Sequence, residues 1–313
     1  MRVPRFLLVV TALLATAGPL SAQASGVQLP LAPSDTVYEV RVQDGSILYG
    51  QVVEAGAERL VLLTSAGLRI ELSRAQIRSV APIRGTVRPD GEVWLADPNS
   101  TRLFFGPTGR SLRRGDGYVG AFELSLPFVA YGLTDRITIA GGTPIVPEVL
   151  GRVVYLAPRV QVVRTDRLHL SAGILSFFDL TDNGDGDPDH LGVVYGAGTV
   201  GSADNALSFG AGWGVAGSDI QGRPAMMLGG EARVSRRIKL ITESYLFSYE
   251  EDEYDFETDT YREGTAHAGV LGLGVRMFGE RLAGDLGLGV GFGDSDFACC
   301  IPLVNFVYNF GRR

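Results

Sequence analysis

Much of the chain alternates apolar with polar or small residues at a period of two. The C-terminal run LVNFVYNFGRR shows it plainly: Val304, Phe306, Tyr308 and Phe310 fall on one side, while Asn305, Asn309 and Val307 share the other. Successive side chains of a β-strand point to opposite faces, so this is a strand period. In 205–216, Leu207, Phe209, Ala211, Trp213 and Val215 oppose Ser208 and glycines, and in 281–292 Leu282, Leu286, Leu288, Val290 and Phe292 oppose Asp285 and glycines. In 117–131 the bulky side is read as Tyr118, Phe122, Leu124, Leu126 and Phe128, with Glu123 and Ser125 opposite. Twelve strands are expected from this pattern, at 101–106, 117–131, 136–145, 152–164, 167–180, 190–201, 205–216, 223–234, 238–249, 264–278, 281–292 and 299–310. Their connections alternate between short turns such as SRR and GE and longer segments such as TDNGDGDPD and EEDEYDFETDTYRE. An even strand number with both ends at the short-turn rim is the plan of an antiparallel up-and-down transmembrane barrel, expected over 101–313. A soluble β-sandwich is the alternative, but it would show many polar side chains outside, whereas the non-apolar face here is mostly glycine and serine.

Ahead of this series, 35–84 reads as five short strands, TVYEVRV, SILYGQVVE, RLVLLT, LRIELS and IRSVAPI, with Gly50 placed for a sharp bend. The run DGSILYGQVVEAGAERLVLLTSAGLRIELSRAQIRSV resembles the small SH3-like and Sm-like barrels, which implies a five-stranded all-β module. Sm-like proteins include RNA binders, but Glu39, Glu54, Glu58 and Glu71 and a net charge of −7 disfavour nucleic acid as a partner. A protein-docking role is expected instead. Residues 85–100 read as a linker with one short strand.

Composition fixes the compartment. Arg2 and Arg5, the apolar run 6–15 and the small residues that follow form the three-part pattern of a signal peptide over 1–24. The apolar run is shorter than the ~20 residues of a spanning helix. Glycine supplies 42 of 313 residues, well above the ~7 % of average proteins, and much of it lies inside strand-like segments. Only Cys299 and Cys300 are present, which excludes a disulfide framework.

Val304, Phe306, Tyr308 and Phe310 resemble the final-strand signal by which assembly machinery recognises outer-membrane barrels, followed here by an additional GRR. The stretch STRLFFGPTGRSLRRGDGYVGAFELSLPFVAYGLTDRITIAGG resembles the opening hairpin of bacterial outer-membrane barrel proteins. These likenesses imply the cell outer membrane as location, with the small module in the periplasm. They also imply membrane lipid, the barrel-assembly machinery and a periplasmic protein as partners. On the inferred inner face stand Glu123, Arg159, Gln161, Glu231, Arg233, Glu243, Arg276 and Asp285, which either pair across the interior or line a water path.

Three groups carry candidate chemistry. Asn183, Asp185, Asp187 and Asp189 offer oxygen ligands at alternate positions, as calcium loops do, although no glutamate stands at the closing distance of an EF-hand. His169 and Ser171 share a strand face and would need Glu123, Glu231 or Asp285 to complete a hydrolytic triad. The acidic run from Glu250 to Asp259 reads as a solvated outer loop. No cofactor other than calcium is suggested. The expected function is a structural or narrow-pore outer-membrane barrel with a docking module, the alternative being a hydrolase acting on lipid or surface polymer.

Overall fold

The computed structural model describes residues 37–311, except 65, 84, 88–91, 148–149, 181–189, 218, 221, 256–259 and 294–296. The expected signal peptide and calcium loop lie outside the described residues. The chain divides into two compact units, one ending at Ile83 with Pro89–Glu92 attached, the other comprising Arg84–Arg88 and Val93–Arg313. No described helix is long and apolar enough to cross a membrane.

The smaller unit is an antiparallel sheet of β1 (Val37–Val42), β2 (Ile47–Ala55), β3 (Arg59–Leu63), β4 (Arg69–Ser73) and β5 (Ile77–Pro82), in the order β4-β3-β2-β1-β5. A 3-10 turn at Arg74–Gln76 joins the last two strands. Alternation places Val40, Val52, Leu60, Leu62, Leu72 and Ile77 in one core. Gly50 is required there because a Cβ would stand 2.5 Å from the Leu63 carbonyl.

The larger unit opens with a hairpin of β6 (Gly85–Val87) and β7 (Val93–Leu95), two short strands where the sequence suggested one. The ring follows: β8 (Gly117–Phe122), β9 (Leu126–Gly132), β10 (Ile137–Gly142), β11 (Val153–Leu156), β12 (Arg159–Arg164), β13 (Leu168–Asp179), β14 (His190–Gly201), β15 (Asn205–Ala216), β16 (Asp219–Ile220), β17 (Ala225–Ser235), β18 (Ile238–Asp255), β19 (Thr260–Phe278), β20 (Leu282–Gly293) and β21 (Phe297–Phe310). β11 and β12 share one position, interrupted at Ala157 and Pro158, and β16 only extends the edge beside β15, so these fourteen strands make a ring of twelve. It closes where β21 pairs with β8, from Asn305 opposite Phe122 to Phe310 opposite Gly117.

The number twelve matches the expectation, but its members differ. Residues 101–106 form no strand; they belong to a segment inside the barrel. The segment 117–131 is two strands, reversed at Glu123 and Leu124, whose φ angles of 47° and 56° and the Ser125 N–H to Phe122 carbonyl bond define a tight hairpin turn. The barrel therefore begins at Gly117 rather than at residue 101. The acidic run is also largely strand, since β18 continues to Asp255 and β19 starts at Thr260.

Outward side chains are apolar all round: Leu207, Leu228, Leu273 and Phe306 are 64, 61, 58 and 53 % exposed. The hairpin reverses the expected facing in β8 and β9. Val119, Val129 and Tyr131 point outward, while Tyr118, Phe122 and Phe128 point into the barrel. Both ends of the barrel lie at the rim of short turns; the other rim holds the long connections 143–152, 180–189 and 217–224 together with the short ones 123–125, 256–259 and 294–296.

Candidate functional site

Residues 97–112 occupy the lumen. Three features of the run DPNSTRLFFGPTGRSL explain why it is not a strand. It holds two prolines, two glycines, and an apolar triplet, Leu103 to Phe105, that breaks the alternation. Its backbone needs partners that no neighbouring strand supplies. The barrel's inward side chains supply them. Glu243 on β18 accepts from three successive amides, Phe104, Phe105 and Gly106, at 2.5, 3.1 and 2.8 Å, and from the Tyr245 hydroxyl at 2.5 Å. Thr199 on β14 accepts from Gly109 N–H, Thr138 on β10 from Leu112 N–H, and Gln161 on β12 from Ser111 N–H. Asn305 on β21 donates to the Phe104 carbonyl at 3.0 Å, and Arg159 on β12 to that of Thr101 at 2.9 Å.

A chain of buried charges fixes the plug. Arg102 meets Asp285 at 2.5 Å; Asp285 meets Arg276 at 2.6 Å; Arg276 meets Asp97 at 3.3 Å; Asp97 meets Lys239 at 3.1 Å; Lys239 meets Glu231 at 2.8 Å; and Glu231 pairs with Arg110. Signs alternate along the series, so each ion is neutralised by neighbours inside a region closed to water. Arg276, fully buried, also donates to the carbonyls of Asn99, Arg102 and Leu103.

The inward glycines now have a reason. A Cβ on Gly229 would stand 2.3 Å from Leu103 Cδ1, and one on Gly287 3.0 Å from the Phe104 ring. Leu103 and Phe104 fill the space these glycines leave, packing with Ile241 and Leu303. The barrel wall is thinned where the plug is thickest.

Of the inner-face candidates, Arg159, Gln161, Glu231, Glu243, Arg276 and Asp285 all bond plug residues. Arg233 is buried nearer the short-turn rim, paired with Asp204 at 2.8 Å and stacked between the rings of Trp94 and Phe278. Glu123 is not lumenal: it sits in the hairpin turn, where its carboxylate accepts the Val304 N–H at 3.0 Å and so continues the β8–β21 pairing. His169 and Ser171 each bond other residues in this structure. The imidazole Nδ1 lies 3.0 Å from Gln161 Nε2, and the Ser171 hydroxyl donates to the Thr108 carbonyl. Of the carboxylates expected to complete a triad, Glu231 and Asp285 are engaged in the plug contacts and Glu123 in the turn.

The sequence reading missed Asp97, Arg102 and Arg110, because they were placed in a linker, a strand and a loop. Lys239 was missed as well, although its phase with Glu243 on β18 could have found it. A serine–histidine contact occurs elsewhere, Ser248 Oγ to His267 Nδ1 at 3.1 Å, on the outward face. Phe306, Tyr308 and Phe310 of the terminal strand face outward, and Val304 shares their side. Cys299 and Cys300 are joined by a disulfide at a bulge where two residues of β21 oppose Val290. Among the described residues no three His, Cys, Asp or Glu side chains converge as a metal site would require.

No family model matches the chain, and no curated protein does. Among solved structures it is similar to outer-membrane expressed OmpT of Vibrio cholerae, at 12 % identity and a TM-score of 0.35, covering 92 % of this chain and 98 % of that one. It is also similar to the in-vitro folded form of that protein, at 12 % and 0.34, over 92 % of this chain and 99 % of the other.

Proposed function

We propose that the larger unit is an outer-membrane barrel closed by its own N-terminal segment, a structural barrel rather than an open pore. The membrane reading is supported by the outward apolar belt, which in water would be an exposed hydrophobic surface on every side. Lipid is the solvent that such a surface suits. The short-turn rim, where both barrel ends lie, faces the periplasm in this reading. The five-stranded module acts as a periplasmic docking unit, with β4 and β5 as the outer strands of the described sheet to which a peptide strand would add.

The observation that carries the closed state is the buried ion series joining residues 97–110 to β17, β18, β19 and β20. Water and ions crossing the barrel would have to displace a segment whose charges are paired and whose amides are bonded. Purified full-length protein in planar bilayers should therefore be electrically silent. Stepwise ohmic currents from the unaltered protein would overturn the closed-barrel reading.

A further inference from the structure

The short-turn rim gathers arginine in one sector. Three connections lie side by side there: 113–116 leads into β8, 133–136 joins β9 to β10, and 165–167 joins β12 to β13, and the strands they serve are neighbours in the ring. Hydrogen bonds tie them together. The Arg114 N–H donates to the Asp135 carboxylate at 3.0 Å, the Gly115 N–H to the Gly132 carbonyl at 2.9 Å, and the Arg164 guanidinium to the Asp135 carbonyl at 3.3 Å. Gly132 permits this approach, since a Cβ there would stand 2.2 Å from the Arg113 carbonyl oxygen. Arg113, Arg114, Arg136, Arg164 and Arg167 are thereby brought into one sector of the rim, and all five are exposed.

Charge in this sector is unbalanced. The carboxylates of the same connections are Asp116, Asp135 and Asp166, and Asp116 is buried. Among the described residues none of the five guanidiniums enters an ion pair, whereas Arg233 and Arg276 inside the barrel are paired. The outer wall next to these cations is apolar, with Tyr131, Ile137, Ile139, Val160 and Val162 all exposed. Arginine suits such a border, because its stem packs on apolar surface while its planar fork bonds phosphate oxygens. Arg281 shows that posture at the same rim, where its guanidinium donates to the hydroxyl of outward Tyr308 at 3.0 Å.

We infer that this sector binds an anionic diacyl phospholipid, its phosphate at Arg136, Arg164 and Arg167 and its acyl chains along Ile137 and Val162. The site rests on the membrane reading of the barrel, which sets this rim at the level of the lipid head groups. A soluble polyanion would meet the arginines but leave the apolar strip bare. A zwitterionic lipid would cover the strip but bring its own ammonium toward the cations. An anionic lipid is complementary to both, and its phosphate takes charge-assisted hydrogen bonds from the guanidiniums.

The test is native mass spectrometry of the full-length protein in nonionic detergent, titrated with phosphatidylglycerol and with phosphatidylcholine of the same acyl chains. Phosphatidylglycerol should bind at least about tenfold more tightly, since each arginine near a lipid surface adds its own attraction for negative charge. The triple variant Arg136→Gln, Arg164→Gln, Arg167→Gln should bring the two lipids within about threefold of each other. Arg223→Gln, in the connection 217–224 at the opposite rim, should leave the preference intact. Glycerophosphoglycerol, the same head without tails, should not displace the lipid even in large excess. Heat-shifted migration in gels verifies that each variant is folded. Equal binding of the two lipids, a preference unchanged in the triple variant or lost equally in Arg223→Gln, or displacement by the tailless head overturns the assignment. A protein that stays in solution without detergent and shows no heat shift sinks the membrane reading itself, whereas a heat-shifting, detergent-dependent barrel with no lipid preference sinks this site alone.

Discussion

Arg276 shows how much a single side chain carries in this lumen. Its guanidinium joins two carboxylates, Asp285 and Asp97, to three plug carbonyls, and no solvent reaches any of them. Replacing it by methionine preserves volume and apolar packing but leaves Asp285 with Arg102 and Asp97 with Lys239 as their remaining cations, and strips three buried plug carbonyls of a donor, each unsatisfied buried group costing about 1–3 kcal/mol. Arg276→Met should therefore lower the urea midpoint of the folded, heat-shifted species by a corresponding amount. Lysine should rescue little of it, since a point charge cannot serve five acceptors that a planar fork reaches. A variant within about 1 kcal/mol of the parent would show that the ion series is incidental, as exposed ion pairs often are.

At the scale of an element, β21 divides its two faces between two tasks. Phe306 is 53 % exposed on the outside, and Asn305 beside it is 2 % exposed, bonded to Phe104 of the plug and to Asp285. On the proposed membrane reading a charge at Phe306 must enter hydrocarbon, at about 2–4 kcal/mol near the midplane. Phe306→Arg should thus sharply lower the membrane-inserted fraction. On alternation alone Asn305→Arg is a mild interior change, but the tertiary contacts make it a plug residue. It should insert normally yet unseat Phe104, so that conductance appears where the parent has none. Equal insertion for the two variants, or a greater loss from Asn305→Arg, would mean that the faces have been reversed.

Taken whole, the chain combines a small five-stranded module with a ring whose outer face is apolar, and each unit has its own core. The smaller one buries six apolar side chains around Val40 and Leu62 within about fifty residues, a size at which stability is marginal. Residues 25–85 expressed alone should still form a soluble β domain, because none of the six belongs to the barrel. Circular dichroism reads the outcome, and an unfolded fragment would show that the module depends on the rest of the chain. The barrel is arranged the other way round: its apolar side chains point outward, and its inner face is filled by the plug.

What the sequence determined by itself is whatever depends on local periodicity. The strands of the small module, the outward facing of Phe306 and Tyr308, and the inward facing of Arg276 and Asp285 follow from side chains that alternate along an extended backbone. Ten of the twelve ring positions were legible one for one because turns interrupt that alternation at regular intervals. The hairpin at Glu123 and Leu124 was not, because neither glycine nor asparagine marks it and its backbone is held by pairing to Val304. Only the tertiary structure decided that residues 97–112 fill the lumen. Their partners lie up to 201 residues away, as from Phe104 to Asn305, and no local pattern encodes a carboxylate on one strand capping three amides of a distant loop. The interior glycines record the same fact from the other side. Alternation shows that they face inward, but only the packed barrel shows that Leu103 and Phe104 occupy the space they leave.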